Sequence, residues 1–318
     1  MDQASARVEL ISPDKIIRNP DNPRLIFREA ELDRLLNSIK QVGIQVPLTV
    51  YWDSRKRRYV LMDGERRWMC SARLNLAAVP VIIQPRPTKL ENILRMFNIH
   101  NVREQWDLLP TAYKLKEVRA LMTQEQKREP TLPELATATG VSTTTVRRAF
   151  ALLEIPKKYL GQLMKELHKP KSEQRLSEDF FLEVMKGLAT INKYTPEVYQ
   201  DVSKPELIDA FVNKYQRKVI TNIVRFRDIS RIARAEKAGV SKKSAVTVLV
   251  RLGKDPEYSL EEAFADSVST AYEARDLTSR VIALTDRLSK FPRKRSMDPK
   301  LRELLLNLRV TIETLLSQ

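Results

Sequence analysis

The sequence predicts an α+β protein: a small mixed α/β N-terminal domain, then an all-α helix-turn-helix and a helical C-terminal region. Three observations support this fold class. Residues 1–85 contain short apolar runs separated by turn residues, a pattern typical of strands joined by tight turns. From Leu90 onward, apolar residues recur at helical spacing almost to the end. The 318 residues include only 7 glycines, and most of the 17 prolines lie between helical patterns.

The N-terminal elements follow from local patterns. Residues 8–11 (VELI) and 78–83 (AVPVII) are predicted strands, and residues 29–43 form an amphipathic helix that ends at Gly43. A β-hairpin is predicted from PLTVYW (47–52) and RYVLM (58–62), with Val60 and Met62 facing inward. A second helix is predicted from Glu65 to Leu74.

The strongest single signal is a helix-turn-helix in LPELATATGVSTTTVRRAFAL (132–152). Gly140 suits the turn, where a positive φ costs little only for glycine, and Ser142 suits the N-cap of the second helix. Val146 and Ala149 form its buried stripe, and its outward face carries side chains that reach base edges and phosphates. A generic helical hairpin with a charged surface is the alternative. The predicted DNA-contacting residues here are Ser142, Thr143, Thr144, Thr145, Arg147 and Arg148.

Residues 214–251 form a basic block with eleven Lys or Arg against two acidic residues, which leaves a net charge of +9. Its apolar residues Ile220, Ile223, Val224, Ile229 and Ile232 leave a face to pack, so the block is predicted to be folded helix. Because one sign of charge dominates, contact with DNA phosphates is favoured over a solubilising surface. The predicted DNA-contacting residues here are Arg225, Arg227, Arg231, Arg234, Lys242 and Lys243.

The C-terminal segment contains two apolar runs with a 3.5-residue period, which is typical of an αα-hairpin or a short coiled-coil seam. Dimerisation and intramolecular packing both remain open. The two runs are Leu277, Val281, Leu284 and Leu288, and Leu301, Leu305, Leu308, Ile312 and Leu315. The predicted domains are residues 1–108, 109–160, 161–258 and 259–318.

Composition restricts the functional classes. Lys and Arg number 56 against 40 Asp and Glu, a net charge of +16 that favours a polyanionic partner, nucleic acid before a membrane surface. With Cys70 the single cysteine and two histidines in the chain, a disulfide framework is excluded and a zinc enzyme is disfavoured. No apolar run approaches the roughly 18 residues of a membrane span, so a cytoplasmic location is expected.

The DGERR stretch (63–67) places Arg66 and Arg67 at the start of a predicted helix. A helix N-terminus offers unpaired backbone N–H groups and a positive dipole end, and guanidinium matches phosphate geometry. A phosphate site and a solvated helix start both fit this pattern. The chain contains no GxxxxGK[ST] motif, which excludes ordinary P-loop ATPase chemistry.

The order of the motifs resembles the ParB/Spo0J/Noc family of bacterial partition proteins. NPDNPR (19–24) and VGIQVPLTVY (42–51) are similar to the family's NPxQPR and GxxQPLxVR. DGERRWMCSAR (63–73) and NIHNVREQWDLLP (98–110) are similar to AGERRxRAA and ENLQREDLxP, and the helix-turn-helix then ends in LLEIP (152–156) as in that family. The resemblance covers residues 8–160, about half of the chain.

This resemblance implies a ParB-like nucleotide-binding domain that binds CTP with Mg²⁺ and gates closure of a homodimer on DNA. A ParA-type ATPase would be a partner, at the nucleoid or on a plasmid. Val46 replaces the family's Gln and His100 its Glu, and imidazole is a poor Mg²⁺ ligand, so binding is favoured over hydrolysis and a weak CTPase activity stays open. The implied nucleotide-binding residues are Pro47, Thr49, Gly64, Glu65, Arg66, Arg67, Asn101 and Arg103.

The sequence therefore predicts a sequence-specific DNA-binding protein of the ParB type that acts in plasmid or chromosome partition, on a centromere-like site. Two alternatives stay open: a ParB-like transcription regulator without nucleotide turnover, and a ParB-fold nuclease or NTPase. A nuclease needs clustered carboxylates for divalent metals, and only Asp53, Asp63 and Glu65 lie near DGERR. No catalytic residue and no metal ligand is assigned.

Overall fold

The computed structural model describes residues 7–101, 107–291 and 297–317. Its N-terminal part is a five-stranded mixed sheet with strand order β1-β5-β3-β4-β2. The β1/β5 and β3/β4 pairs are antiparallel, whereas β3/β5 and β2/β4 are parallel. The strands are β1 (Val8–Ile11), β2 (Ile16–Ile17), β3 (Leu48–Asp53), β4 (Arg58–Asp63) and β5 (Val79–Gln84).

Helices make up most of the chain after the sheet, so the predicted α+β class is confirmed. Among the described residues, three helices belong to the sheet region: α1 (Glu29–Val42), α2 (Glu65–Arg73) and α3 (Lys89–Asn101). The later helices are α4 (Leu108–Gln126), α5 (Leu132–Thr139), α6 (Thr143–Leu153), α7 (Lys157–Leu167), α8 (Glu178–Tyr194), α9 (Val198–Asp201), α10 (Lys204–Gln216), α11 (Phe226–Ala233), α12 (Lys242–Lys254), α13 (Leu260–Ala265), α14 (Ser269–Ser289) and α15 (Pro299–Leu316).

The hairpin strand β4 is buried on both faces of the sheet. Val60, Leu61 and Met62 are all at most 2% exposed. Leu61 packs with the cluster that contains Leu48, while Val60 and Met62 pack with Tyr51 on the other face. The prediction that Val60 and Met62 face inward is therefore confirmed, and Leu61 is buried as well because β4 lies between two strands and is covered on both sides.

The predicted turn and caps of the helix-turn-helix are confirmed. Gly140 ends α5 with a φ of 71°, the left-handed conformation that glycine adopts at low cost. The Ser142 Oγ accepts a 3.0 Å hydrogen bond from the Thr145 backbone N–H at the start of α6. Val146 and Ala149 are fully buried on the inner face of α6. The outer face of this helix is thereby held toward solvent.

One hydrophobic core cluster extends from Ile26 to Val268 and joins the helix-turn-helix to the basic helices that follow. It includes side chains of α6, α8 and α11, with Phe180, Phe211 and Phe226 fully buried at its centre. The predicted boundary between residues 109–160 and 161–258 therefore lies within a shared core, and the domain division stays a prediction.

Two residues of the basic block differ from their predicted placement. Lys214 is 1% exposed and donates hydrogen bonds to the backbone carbonyl oxygens of Asp255 and Tyr258, so it joins α10 to the loop before α13. Val224 is 52% exposed instead of packing inward. Three other residues of the predicted apolar face are fully buried, as predicted: Ile220, Ile229 and Ile232.

The two C-terminal helices bury none of their described side chains in this single chain. Leu277 and Val281 on α14 are 61% and 51% exposed, and Leu315 on α15 is 61% exposed. Residues 292–296 of the polar break lie outside the described residues. No described helix has the length and apolar character of a membrane span.

Candidate functional site

The start of α2 is shaped by Gly64. This residue follows β4 directly, has a φ of 96° and is the N-cap of the helix. A Cβ atom at this position would lie 3.0 Å from the Leu48 Cγ and 3.2 Å from the Arg67 Cζ. Glycine is therefore required here both by the backbone conformation and by the space. Since Gly64 has no side chain to cap α2, the first backbone N–H groups of the helix remain available to an anion.

Arg67 connects this helix start to the segment before β3. Its Nη1 donates hydrogen bonds to the carbonyl oxygens of Val46 and Pro47, the latter at 2.9 Å. Its Nη2 forms a 3.1 Å ion pair with Asp63. Thr49 lies opposite Asp63 in the β3/β4 ladder, next to a register shift. Four predicted nucleotide-binding residues, Pro47, Thr49, Gly64 and Arg67, are thus brought together, and Arg66 lies partly buried in the same helical turn.

Glu65 has a structural role that sequence reasoning missed. Its carboxylate is 6% exposed, accepts a hydrogen bond from the Asn22 side-chain amide and pairs with Arg18. Burial raises the pKa of Glu65 above its usual range, against the opposing charge of Arg18. The carboxylate therefore joins the NPDNPR segment to the start of α2, and the 43-residue separation of Asn22 and Glu65 hid this contact from local patterns.

The same segment is joined to α3 by buried amides. The Asn19 Nδ2 donates a 2.8 Å hydrogen bond to the Leu61 carbonyl oxygen, and the Asn92 Nδ2 donates a 3.2 Å hydrogen bond to Asp21. Asn19 and Asn92 are 1% and 2% exposed. The helix α3 ends at Asn101; the side chains of His100 and Asn101, and Arg103 as a whole, lie outside the described residues.

The carboxylates that a metal-dependent nuclease would need are engaged elsewhere. Asp53 accepts hydrogen bonds from the backbone N–H groups of Arg55 and Lys56 in the hairpin turn. Asp63 pairs with Arg67, and Glu65 is held by Asn22. Across the part of the chain that the structure describes, no three His, Cys, Asp or Glu residues are grouped to hold a metal ion. These contacts give no support to the nuclease alternative.

The outer face of α6 presents polar and basic side chains to solvent. Thr144, Arg147 and Arg148 are exposed, whereas Thr143 and Thr145 are partly buried. The hydroxyl oxygens of Ser142 and Thr145 lie 2.9 Å apart, at the N-terminal cap of the helix. The predicted DNA-contacting residues of this segment therefore share one short stretch of surface, and their contact with DNA stays a prediction.

A cleft of about 990 Å³ lies beside α6. Arg147 and Arg148 of α6 line it, and the Arg148 guanidinium forms a 2.9 Å ion pair with Asp179 at the start of α8. Leu182 and Met185 of α8 also line the cleft, as does Lys204 at the start of α10. This arrangement puts α6 and one face of α8 on the same concave surface.

Most predicted DNA contacts of the basic block form ion pairs within the chain. Arg225 lies 3.0 Å from Glu261, Arg227 3.6 Å from Glu183, and Arg231 2.9 Å from Asp228. Lys242 pairs with Glu197. Between exposed groups such as Lys242 and Glu197 a pair contributes only about 0–1 kcal/mol, so it does not prevent Lys242 from turning to phosphate. Asp228 is only 3% exposed, so loss of Arg231 would leave a buried carboxylate without its partner, at a larger cost. Of the predicted cations, Arg234 and Lys243 have no carboxylate partner among the described residues.

Residues 1–102 match the family model described as the ParB N-terminal domain. The match confirms the resemblance predicted from the motif order, and it covers the sheet, the DGERR helix start and α3. The chain is also similar to curated ParB and nucleoid occlusion proteins.

Two curated relatives show the extent of this similarity. The chromosome-partitioning protein ParB of Caulobacter vibrioides is 34% identical over 143 residues, 44% of each chain. A nucleoid occlusion protein of Listeria monocytogenes is 26% identical over 156 residues, which are 49% of this chain and 52% of the relative. The matched region thus spans about half the length of these relatives. Among solved structures, truncated ParB from Caulobacter crescentus complexed to the centromeric parS site aligns with 71% of this chain and 98% of its own, at 21% identity and a TM-score of 0.43.

Proposed function

We propose that this chain is a sequence-specific DNA-binding protein of the ParB type that acts in chromosome or plasmid partition. The observation that carries the proposal is the capped helix α6, whose exposed Thr144, Arg147 and Arg148 follow a ParB N-terminal domain in the same chain. Threonine and arginine side chains on an exposed recognition helix suit base edges in the major groove. The curated relatives named above are partition and nucleoid occlusion proteins.

In this proposal α6 chooses the DNA sequence and the surrounding cations supply most of the affinity. Arg147 is exposed and forms no ion pair with any other described residue, so it is available to a guanine edge without first losing a contact. Arg148 would exchange its surface pair with Asp179 for a phosphate or base contact, at low cost. The basic block would add phosphate contacts that do not depend on sequence.

The proposal extends to a nucleoside triphosphate, CTP with Mg²⁺, at the start of α2. The bare helix N-terminus at Gly64 offers backbone donors, and Arg66 and Arg67 lie in its first turn. Pro47 and Thr49 line the same place, and Asn101 and Arg103 are the further binding residues that the family resemblance implies. Because carboxylates there are engaged by Arg67, Asn22 and Arg18, a magnesium ion would be held mainly by the phosphates and water.

The bound triphosphate would supply negative charge that neutralises Arg66 and Arg67. Arg67 now holds the carbonyl oxygens of Val46 and Pro47, so its engagement with phosphate would also move the segment before β3. We propose that this coupling favours closure of a homodimer on DNA, with α14 and α15 as the dimer contact and a ParA-type ATPase as partner.

Two measurements on the full chain test this function. Selection of bound duplexes from a random pool is expected to enrich one motif, and the absence of an enriched motif would contradict sequence-specific binding. Binding of labelled CTP, ATP and GTP, with and without the enriched duplex, is expected to favour CTP. Arg66→Ala should abolish that binding, whereas Arg34→Ala, an exposed arginine of α1, should leave it unchanged. No binding of any triphosphate would leave a plain DNA-binding regulator.

A further inference from the structure

Three cations surround one phenol ring where α8 ends. The Tyr194 cluster consists of Lys193, Tyr194, Arg234 and Lys237. The Lys193 Nζ, the Arg234 Cζ and the Lys237 Nζ lie 5.5 Å, 5.4 Å and 4.9 Å from the centroid of the Tyr194 ring. The Lys237 Nζ also lies 3.3 Å from the Tyr194 hydroxyl oxygen. Cation–π contacts at these distances hold the three positive charges together on an exposed surface.

The cluster differs from the rest of the basic region in its charge balance. Within the described ranges, no carboxylate forms an ion pair with Lys193, Arg234 or Lys237, whereas Arg227 and Lys242 are paired. The hydrogen bond from Lys237, helped by the neighbouring positive charges, lowers the pKa of the Tyr194 phenol. A phenol that ionises more readily reports a positive local potential. The cluster is therefore a concentrated and uncompensated positive site.

The Tyr194 cluster lies at the opposite end of α8 from the contact of this helix with α6. At the start of helix α8, Asp179 forms an ion pair with Arg148 of α6, and the helix ends at Tyr194. Lys193 follows Asp179 by 14 residues, which corresponds to about 21 Å along a helix. The face of α8 that lines the cleft beside α6 includes Lys186 and Ala189, and Lys193 follows these by seven and four residues. Residues at these spacings share one helix face, so the surface that begins at α6 continues along α8 to the cluster.

We propose that the Tyr194 cluster binds the sugar-phosphate backbone of the duplex whose bases α6 reads, as a second contact that does not depend on sequence. This inference rests on the proposed DNA binding and adds Lys193, Tyr194 and Lys237 to its surface. One strand of B-DNA presents a phosphate about every 3.4 Å, so about 21 Å along α8 corresponds to roughly six base pairs. Two contacts at that separation fix the orientation of the protein on the duplex.

The charge of the cluster also fits an acidic protein segment, but the continuity with α6 favours DNA. The cations are exposed, so they can be replaced without opening the core. The test variant is the full chain with Lys193→Gln, Arg234→Gln and Lys237→Gln. The matched control carries Arg34→Gln, Lys40→Gln and Lys165→Gln, three exposed cations of α1 and α7 that lie outside every surface assigned to DNA or to the dimer. Both variants lose the same net charge.

Binding of a duplex of random sequence is measured by fluorescence anisotropy from about 50 to 200 mM salt. The test variant is expected to bind about tenfold more weakly than the control, with a salt slope shallower by about 2–3, because each lost phosphate contact removes about 0.9 from that slope. Equal affinity and equal slope in the two variants would overturn the proposal. The same result is expected if the cluster binds an acidic protein segment instead of DNA.

Measurement on the selected sequence separates this inference from the proposed function. If α6 reads bases and the cluster holds phosphates, the test variant should keep the ratio of specific to random affinity while both affinities fall. Loss of this ratio in the test variant would overturn the assignment to phosphate. If no sequence is selected at all, the function proposed for α6 fails, while the salt slope still decides whether the cluster contacts DNA.

Discussion

The Arg67 guanidinium donates a 2.9 Å hydrogen bond to the Pro47 carbonyl oxygen, which joins the start of α2 to the segment before β3. Two motifs that stand 20 residues apart in the sequence are thus one physical unit. Gly64 lies between Leu48 and Arg67, because a Cβ atom at position 64 would be in tight contact with both side chains. Changes at Gly64 should therefore disturb this unit without altering any charge.

Gly64→Ala is expected to lower the free energy of unfolding by about 1–2 kcal/mol, because an alanine pays that cost in the left-handed conformation. It should also weaken triphosphate binding, because Arg67 must shift. Gly161→Ala is the matched control, since nothing lies within 4 Å of a Cβ atom there in α7. Urea unfolding should show the control unchanged or slightly more stable. A Gly64→Ala protein as stable as the control would contradict the strained turn.

Glu65 should make stability fall as pH rises above its ordinary pKa of 4.5. Because its folded-state pKa is raised, the native chain holds the proton more tightly than the unfolded chain, and that advantage is lost through the window above 4.5. In urea unfolding, the stability of Glu65→Gln relative to the wild type is therefore expected to rise as the pH rises above 4.5.

Glu29→Gln supplies a control of opposite sign. The hydrogen bond from Arg73 lowers the pKa of Glu29, so its stabilising contribution is present above 4.5 and is lost at lower pH. The Glu29→Gln protein should lose stability relative to the wild type as pH rises through the window below 4.5. A pH-independent difference for Glu65→Gln would show that burial does not control that carboxyl group.

Lys214→Met should destabilise the fold and leave DNA binding intact. The substitution fills the buried volume but leaves the carbonyl oxygens of Asp255 and Tyr258 without their donor, a loss of about 3 kcal/mol. Lys165→Met, at an exposed position of α7, is the control. Urea unfolding measures the first effect and anisotropy at low temperature the second. Weaker DNA binding without loss of stability would place Lys214 among the phosphate contacts after all.

The exposed apolar faces of α14 and α15 predict a dimer. Leu277→Glu with Leu315→Glu places charges on two side chains that are each 61% exposed. Sedimentation equilibrium is expected to show a dimer for the wild type and a monomer for this double variant. Ser279→Glu, on another face of α14, should remain dimeric. If the helices pack within one chain instead, the double variant would lose stability at unchanged mass.

Local patterns predicted the helix-turn-helix well because its determinants lie close together in the sequence. Gly140 and Ser142 act on neighbouring backbone groups, and Val146 and Ala149 follow helical spacing, so the turn, the cap and the buried stripe were all predicted correctly. The α+β class was predicted for the same reason, since strand and helix periods are local properties.

Contacts between distant segments could not be predicted in this way. Lys214 was counted as a surface cation because its carbonyl acceptors follow 41 and 44 residues later. Glu65 was assigned to the phosphate site, whereas it is engaged by Asn22 from 43 residues earlier. The burial of Leu61 likewise depends on tertiary packing, because β4 is covered on both faces. The alternation of residues within β4 does not show this.

The most direct test of DNA recognition by α6 is the ratio of affinities for the selected and the random duplex, measured for the wild type, Arg147→Ala and Lys165→Ala. Loss of one bidentate base contact costs about 1–3 kcal/mol, so Arg147→Ala should reduce this ratio by about 5- to 150-fold. Affinity for the random duplex should change little, and Lys165→Ala should match the wild type. If neither Arg147→Ala nor Arg148→Ala changes this ratio, α6 does not read the bases of the duplex.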